Sequence, residues 1–313
     1  MTRFDLRDII EAQKIIDPVF LNSPQYEYEP LNEIVGCRVI LKVETQNPIR
    51  SFKGRGADLL VSKSNQSLIC ASAGNFGQAM AYACMKRSIP LKVVAGVHAN
   101  AFKIERMRKL GAEVILKGED FDEAKQFAKE EATRINYRFV EDSSDVETVI
   151  GAGTIGLELL NYAHSIDYVL VPVGNGALIN GIGKAFKESG STAKIIGVQA
   201  NGAPAMIESW QQQKVITHAT VNTIADGIAV RIPVPIALAE MNEVMDDALM
   251  VTDESIVATM KLMYRMLGFV VEPSGAVALA ALMQRNLFKN KTVAVIVCGG
   301  NFTEEQVQNW IIK

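Results

Sequence analysis

Asn47-Pro48-Ile49-Arg50-Ser51-Phe52-Lys53-Gly54-Arg55-Gly56-Ala57 is the stretch on which the fold turns. Before it, Cys37 to Glu44 (Cys-Arg-Val-Ile-Leu-Lys-Val-Glu) has the apolar lean of a strand. After it, Ala57-Asp58-Leu59-Leu60-Val61 opens a helix. Lys53 therefore stands where a strand hands over to a helix, fixed by a proline and two glycines. A lysine held in a shaped pocket loses its proton more easily than one on a flexible surface, and it can form a Schiff base. From this stretch alone, a solvated basic turn of Arg50, Lys53 and Arg55 is the alternative.

Working outward, short runs rich in Val and Ile recur at 68–71, 91–95, 113–116, 168–173, 194–198 and 292–297. They lack clean alternation, as strands buried on both faces do. Helical spacing fills the gaps. It runs over 8–17 up to Pro18, through Phe121, Ala124, Phe127, Ala128, Ala132 and Ile135, and through Ile256, Met260, Met263 and Leu267 after Thr252 as N-cap. Thr303-Glu304-Glu305-Gln306 predicts a capping box opening the last helix. This alternation defines an α/β protein with mostly parallel sheets. No repeat or low-complexity linker marks a domain boundary.

The 313 residues suit one large or two modest domains, and 49% of them are apolar, enough for a substantial core. A net charge of −3 offers no electrostatic case for nucleic acid or an anionic membrane. No run is long enough to span a bilayer, and residues 1–8 carry early acids and no apolar signal core. Cys37, Cys70, Cys84 and Cys298 have no paired spacing, which argues for a reducing cytoplasm over a disulfide frame or zinc site. His98, His164 and His218 are too scattered for a metal cluster.

Ligands of open parallel sheets bind beyond the carboxyl ends of strands, where this chain places its glycines. Ala71-Ser72-Ala73-Gly74-Asn75-Phe76-Gly77-Gln78 follows one strand and precedes a helix expected at about 77–87. It is either an anion hook made of backbone N–H groups or an ordinary turn capped by Ser72 or Asn75. Val173 to Gly181, with Gly174-Asn175-Gly176-Ala177-Leu178 at its centre, contains neither acid nor base and suits a phosphate. Val271-Glu272-Pro273-Ser274-Gly275-Ala276 opens a helix, with Ser274 a possible N-cap and Glu272 a carboxylate placed to serve a ligand. Cys298-Gly299-Gly300-Asn301 ends the last strand, leaving Cys298 either core or site. Thr223 to Val230 is a turn that periodicity does not explain. Gly151-Ala152-Gly153-Thr154-Ile155-Gly156 has the letters of a dinucleotide-binding motif, but the polar stretch 141–148 precedes it in place of a strand. The strand at 168–173 then ends at Val173 and is followed by Gly174, where a ribose-binding acid is needed. Gly174-Asn175-Gly176 fares no better: Ile179 stands where its third glycine belongs, and its following strand ends in Gln199. NAD is rejected on these grounds.

Together the Ser51–Ala57, Ser72–Asn75, Val173–Leu178, Thr223–Val230, Glu272–Ala276 and Cys298–Asn301 motifs resemble fold-type-II pyridoxal-phosphate (PLP) enzymes of the threonine/serine dehydratase and serine racemase group. They occur in that family's order and cover nearly the whole chain. The resemblance implies a tryptophan synthase β-like fold of two open, mostly parallel sheets flanked by helices. A large PLP-binding domain would be made of 1–66 and 146–313, with a small mobile domain of 67–145 closing over it. Lys53 would carry PLP as a Schiff base and then act as base at the substrate Cα. Gly174, Asn175, Gly176, Ala177 and Leu178 would bind the phosphate, Asn75 the ring oxygen, and Cys298 would face the pyridine nitrogen as a neutral partner. Ser72 and the backbone of Ala73, Gly74, Asn75 and Phe76 would hold the substrate carboxylate. The implied reaction removes the β-hydroxyl of L-threonine or L-serine, giving a 2-oxo acid and ammonia, in a cytoplasmic homodimer of amino-acid catabolism. The chain's end soon after the last core helix leaves no room for a regulatory domain, so isoleucine feedback is not expected.

Three departures qualify the resemblance. Phe76 replaces the usual histidine, making a polar wall apolar and opening the alternative of a bulkier β-substituted amino acid. Ala73 stands where racemases place a serine and cannot move a proton. Gln199 and Ala205 stand where cation-binding members carry carboxylates, so no metal is expected. A catalytically idle PLP-fold binding protein is the alternative from another class; retention of Lys53 argues against it.

Overall fold

The computed structural model describes residues 3–284 and 286–312. Among these described residues ten strands form two sheets. The first contains β1 (Gln25–Glu27), β2 (Arg38–Val43), β7 (Tyr168–Pro172), β8 (Lys194–Ala200), β9 (Asp247–Val251) and β10 (Thr292–Val297), in the order β1-β2-β10-β7-β8-β9. The second contains β3 (Leu68–Ala71), β4 (Leu91–Ala95), β5 (Glu113–Leu116) and β6 (Arg138–Val140), in the order β5-β4-β3-β6. Among these strands only β1 pairs antiparallel, and the other pairings between them are parallel. The chain is thus an α/β protein with two open, mostly parallel sheets flanked by helices, the fold-type-II arrangement. The first sheet draws strands from both ends of the chain, and the second is local to 68–140.

The interior strands are the ones the apolar runs predicted. β2, β8 and β10 are buried along all but their first residue. Spacing did not predict β1, β6 and β9, and all three lie at sheet edges. An edge strand is covered less completely, so polar residues such as Gln25, Arg138 and Asp247 are admitted and the apolar signal fades.

The Gly151–Gly156 motif lies inside the helix Val146–Leu160, away from any strand end, in keeping with rejection of a dinucleotide site. Its glycines serve close helix packing. A Cβ on Gly151 would lie 2.5 Å from the Gly56 Cα on the helix Lys53–Ser62. That crossing presses the lysine-bearing helix against the first sheet's helical layer. The helix itself begins at Lys53, four residues before the first good helix formers. The segment before it is tied to the last strand, with Phe52 donating its N–H to the Cys298 carbonyl at 3.1 Å.

Arg55 is fully buried, which rules out a solvated basic turn. Its guanidinium meets Glu44 through Nε and Nη2, both at 2.9 Å, and Glu158 through Nη1 at 2.6 Å and Nη2 at 2.9 Å. Thr154 and Ser23 accept its remaining bonds at 3.0 and 3.1 Å, and buried Lys42 pairs with the same Glu158. This network bolts the start of the lysine helix to the segment after β2 and to the helix Val146–Leu160, two residues from Lys53.

Candidate active site

The loops after β3, β7 and β10 come together in one cleft, as parallel strands of open sheets dictate. Lys53 lines it as the first residue of its helix. Its Nζ lies 2.5 Å from Asp142 Oδ2 and 4.5 Å from the centre of the Phe52 ring. Asp142 comes from the segment leaving β6, so this ion pair spans the cleft.

Gly174, Asn175, Gly176, Ala177 and Leu178 line the same cleft at the start of the helix Ala177–Glu188. Gly176 holds φ at +98°, a conformation that favours glycine, and turns the chain so that the helix N-terminus opens into the cleft. The first-turn N–H groups have no intrahelical acceptors, and the first turn carries no acid. The Ala177 N–H meets Ser143 Oγ at 3.1 Å, and the Asn175 Oδ1 is buried without a partner. This donor set fits a phosphate. With a lysine amine in the same cleft, it fits PLP.

Ser72, Ala73, Gly74, Asn75 and Phe76 form another wall. Ser72 Oγ accepts from the N–H groups of Gly74 at 3.2 Å and Gly77 at 2.9 Å, so the serine does cap this turn. Capping and ligand binding are compatible, because the hydroxyl proton stays free and the loop is pinned. Asn75 donates to Glu272 Oε1 at 2.7 Å and accepts from Asn301 Nδ2 at 2.9 Å. Its side chain is thereby oriented before any ligand arrives.

Glu272 and Cys298 lie deeper. Burial pushes the Glu272 carboxyl up to about 7, against the opposing pull of Lys103 and the bond from Asn75. Its Oε2 accepts from the Asn301 N–H at 3.1 Å. Burial also raises the Cys298 thiol, keeping it neutral, and its Sγ lies 3.3 Å from the Ser274 carbonyl. Ser274 does not cap its helix: Glu272 takes that position, and the serine hydroxyl is buried without a partner.

The raised Glu272 makes stability depend on pH. The folded chain holds this proton more tightly than the unfolded chain, where the group titrates near 4.5. The stabilising contribution is complete below about 4.5 and is lost as the pH rises through about 7. Urea unfolding across this window should show wild-type stability falling relative to Glu272→Gln. Parallel curves would mean that Glu272 titrates normally.

Apolar spacing and glycine loops gave no sign of Lys103, Asp142 or Ser143. Lys103, from the helix Ala101–Lys109, is buried and pairs with Asp226 of the turn 223–230. Burial works to lower its pKa, but Asp226 and Glu272 outweigh that and hold it above its ordinary value. The unexplained turn is therefore a wall of the cleft, clasped from the opposite side. Only the polarity of 141–148 hinted at Asp142.

A lysine amine, an open helix N-terminus and a neutral thiol in one cleft between two parallel sheets define an enzyme built around a phosphorylated aldehyde cofactor. Residues 16–299 match the family described as pyridoxal-phosphate dependent enzyme, and the chain belongs to that family. It is 34% identical over 311 residues to a biosynthetic L-threonine dehydratase of Halalkalibacterium halodurans, covering 96% of this chain and 75% of the relative. It is also 34% identical over 313 residues to an L-threonine ammonia-lyase of Thermotoga maritima, covering 98% and 78%. Among solved structures, maize serine racemase superposes with a TM-score of 0.92 at 29% identity, covering 98% of this chain and 97% of that one. The processed threonine deaminase isoform 2 of Solanum lycopersicum gives 0.89 at 31% identity, covering 98% and 88%.

Proposed function

We propose that the protein is a PLP-dependent ammonia-lyase that removes the β-hydroxyl of L-threonine and L-serine, releasing a 2-oxo acid and ammonia. The observation that carries this is the facing of Lys53 and the open Gly174–Leu178 turn across a cleft whose third wall is the Ser72–Phe76 loop. The named activities of the relatives support it. PLP, when bound, supplies the electron-withdrawing ring that loosens the substrate Cα proton. Lys53 anchors the cofactor and then takes that proton. The Gly174–Leu178 N–H groups hold the phosphate, Asn75 the ring oxygen, and neutral Cys298 the ring nitrogen. Ser72 and the backbone of Ala73 to Phe76 hold the substrate carboxylate, with Glu272 fixing Asn75 beside them. Ala73 offers no second acid or base, which favours elimination over racemisation.

The segment 67–145 is the small mobile domain and the remainder the large one. Closure is supported by ion pairs that join the two, Lys103 with Asp226 and Arg231 with Asp122. Such closure keeps water from the reactive intermediate. The protein acts as a cytoplasmic homodimer. The four free cysteines accord with a reducing compartment, and no helix among the described residues is long and apolar enough to cross a membrane. Light scattering that finds only monomer would refute the dimer.

The deciding assay is 2-oxo acid release from L-threonine and L-serine by the PLP-loaded protein; no release from either would refute the proposal. A bulkier 3-hydroxy amino acid is the second reading, favoured by Phe76 and by a cavity of about 320 Å³ that continues the cleft past Phe121 and Val230. A panel of 3-hydroxy amino acids of increasing side-chain size separates the two by kcat/KM.

A further inference from the structure

The cleft contains four carboxyl groups, Glu141, Asp142, Asp226 and Glu272. Three are committed elsewhere. Glu141 pairs with Lys125 at 3.0 Å and Lys129 at 3.6 Å, and Asp226 pairs with Lys103. Glu272 accepts from Asn75 and Asn301. Asp142 touches the Lys53 amine, with Oδ2 at 2.5 Å, and among the described residues pairs with no other cation. Its second oxygen, Oδ1, is buried and has no hydrogen-bond partner. Neutralising Lys53 uses one carboxylate oxygen, whereas passing a proton onward needs a second that is free.

The β-hydroxyl is a poor leaving group unless it is protonated as it departs. Ser72 is assigned to the substrate carboxylate, Ala73 has no proton to give, and Cys298 faces the Ser274 carbonyl. We propose that Asp142 is the proton-transfer partner of Lys53, delivering to the departing β-hydroxyl the proton that Lys53 takes from the substrate Cα. The inference rests on the lyase function proposed above. The electron pair of the Cα–H bond becomes the second Cα–Cβ bond. The Cβ–O bond breaks with its pair on oxygen, and the relayed proton makes that oxygen water. Nothing is oxidised or reduced.

The test compares wild type and Asp142→Asn, both PLP-loaded, on L-serine and on β-chloro-L-alanine, whose chloride leaves without a proton. Release of 2-oxo acid from L-serine should fall about a hundredfold in the variant, and release from β-chloro-L-alanine by no more than about threefold. Cofactor uptake by the cofactor-free proteins, followed by absorbance, should be at least as tight in the variant, because the Lys53 amine loses the ion pair that occupies it. Equal losses on both substrates, no loss on L-serine, or failed cofactor uptake would each overturn the proposal. A wild type that turns over neither substrate would instead sink the lyase function beneath it.

Discussion

Lys53→Ala is expected to lower 2-oxo acid release from L-threonine by at least about a thousandfold, because anchoring and proton abstraction depend on the same amine. The visible absorbance of the lysine-bound cofactor should vanish with it. The fold should survive, since the Lys53 side chain is partly exposed and its ion pair is with Asp142 at the cleft surface. Far-UV circular dichroism and a thermal melt alongside the assay separate lost chemistry from lost structure. Lys53→Arg keeps the charge but not a nucleophilic amine and should be as inactive. Turnover or absorbance persisting in a folded Lys53→Ala protein would place the catalytic lysine elsewhere.

Arg55→Met should act in the opposite way, on the fold first. Arg55 neutralises two buried carboxylates, Glu44 and Glu158, and Lys42 alone would remain to face them. Removing one member of a buried ion network typically costs about 3–5 kcal/mol, because the partners are left charged and dry. That is a large share of the stability of a typical domain, so the variant should express poorly or unfold at much lower urea. The mechanism has its own check: adding Glu44→Gln to Arg55→Met, which leaves Lys42 paired with Glu158 and the buried charges balanced, should recover much of the loss. If the double variant is no more stable than the single one, the cost lies in packing and not in stranded charge. Any folded Arg55→Met protein should also lose activity, since the network sets the start of the helix that carries Lys53.

These two neighbours show what a sequence can and cannot reveal. Both looked like basic residues in a glycine turn. Lys53 stood out through its company further along the chain, because each strand that ends in glycines must present its loop on the same edge of a parallel sheet. Arg55 gave no such sign, because its partners lie 11 and 103 residues away on other elements. The same contrast holds among the strands. Interior strands announce themselves by unbroken Val and Ile, whereas β1, β6 and β9 tolerate polar residues at the edges and are silent. Among the glycines, the letters of Gly151 to Gly156 suggested a nucleotide turn, and the missing strand before them and the missing acid after the next strand argued otherwise; the structure supplies helix packing as their purpose.

By itself the chain determined the α/β class, the interior strands and the glycine loops at their ends. All of these follow from local periodicity and backbone geometry. Tertiary structure alone decided which charges meet: Lys53 with Asp142, Lys103 with Asp226, Arg55 with Glu44 and Glu158, Asn75 with Glu272. Charged side chains carry no periodic signature. Their partners are chosen by the packing of distant elements, and only burial makes the choice matter.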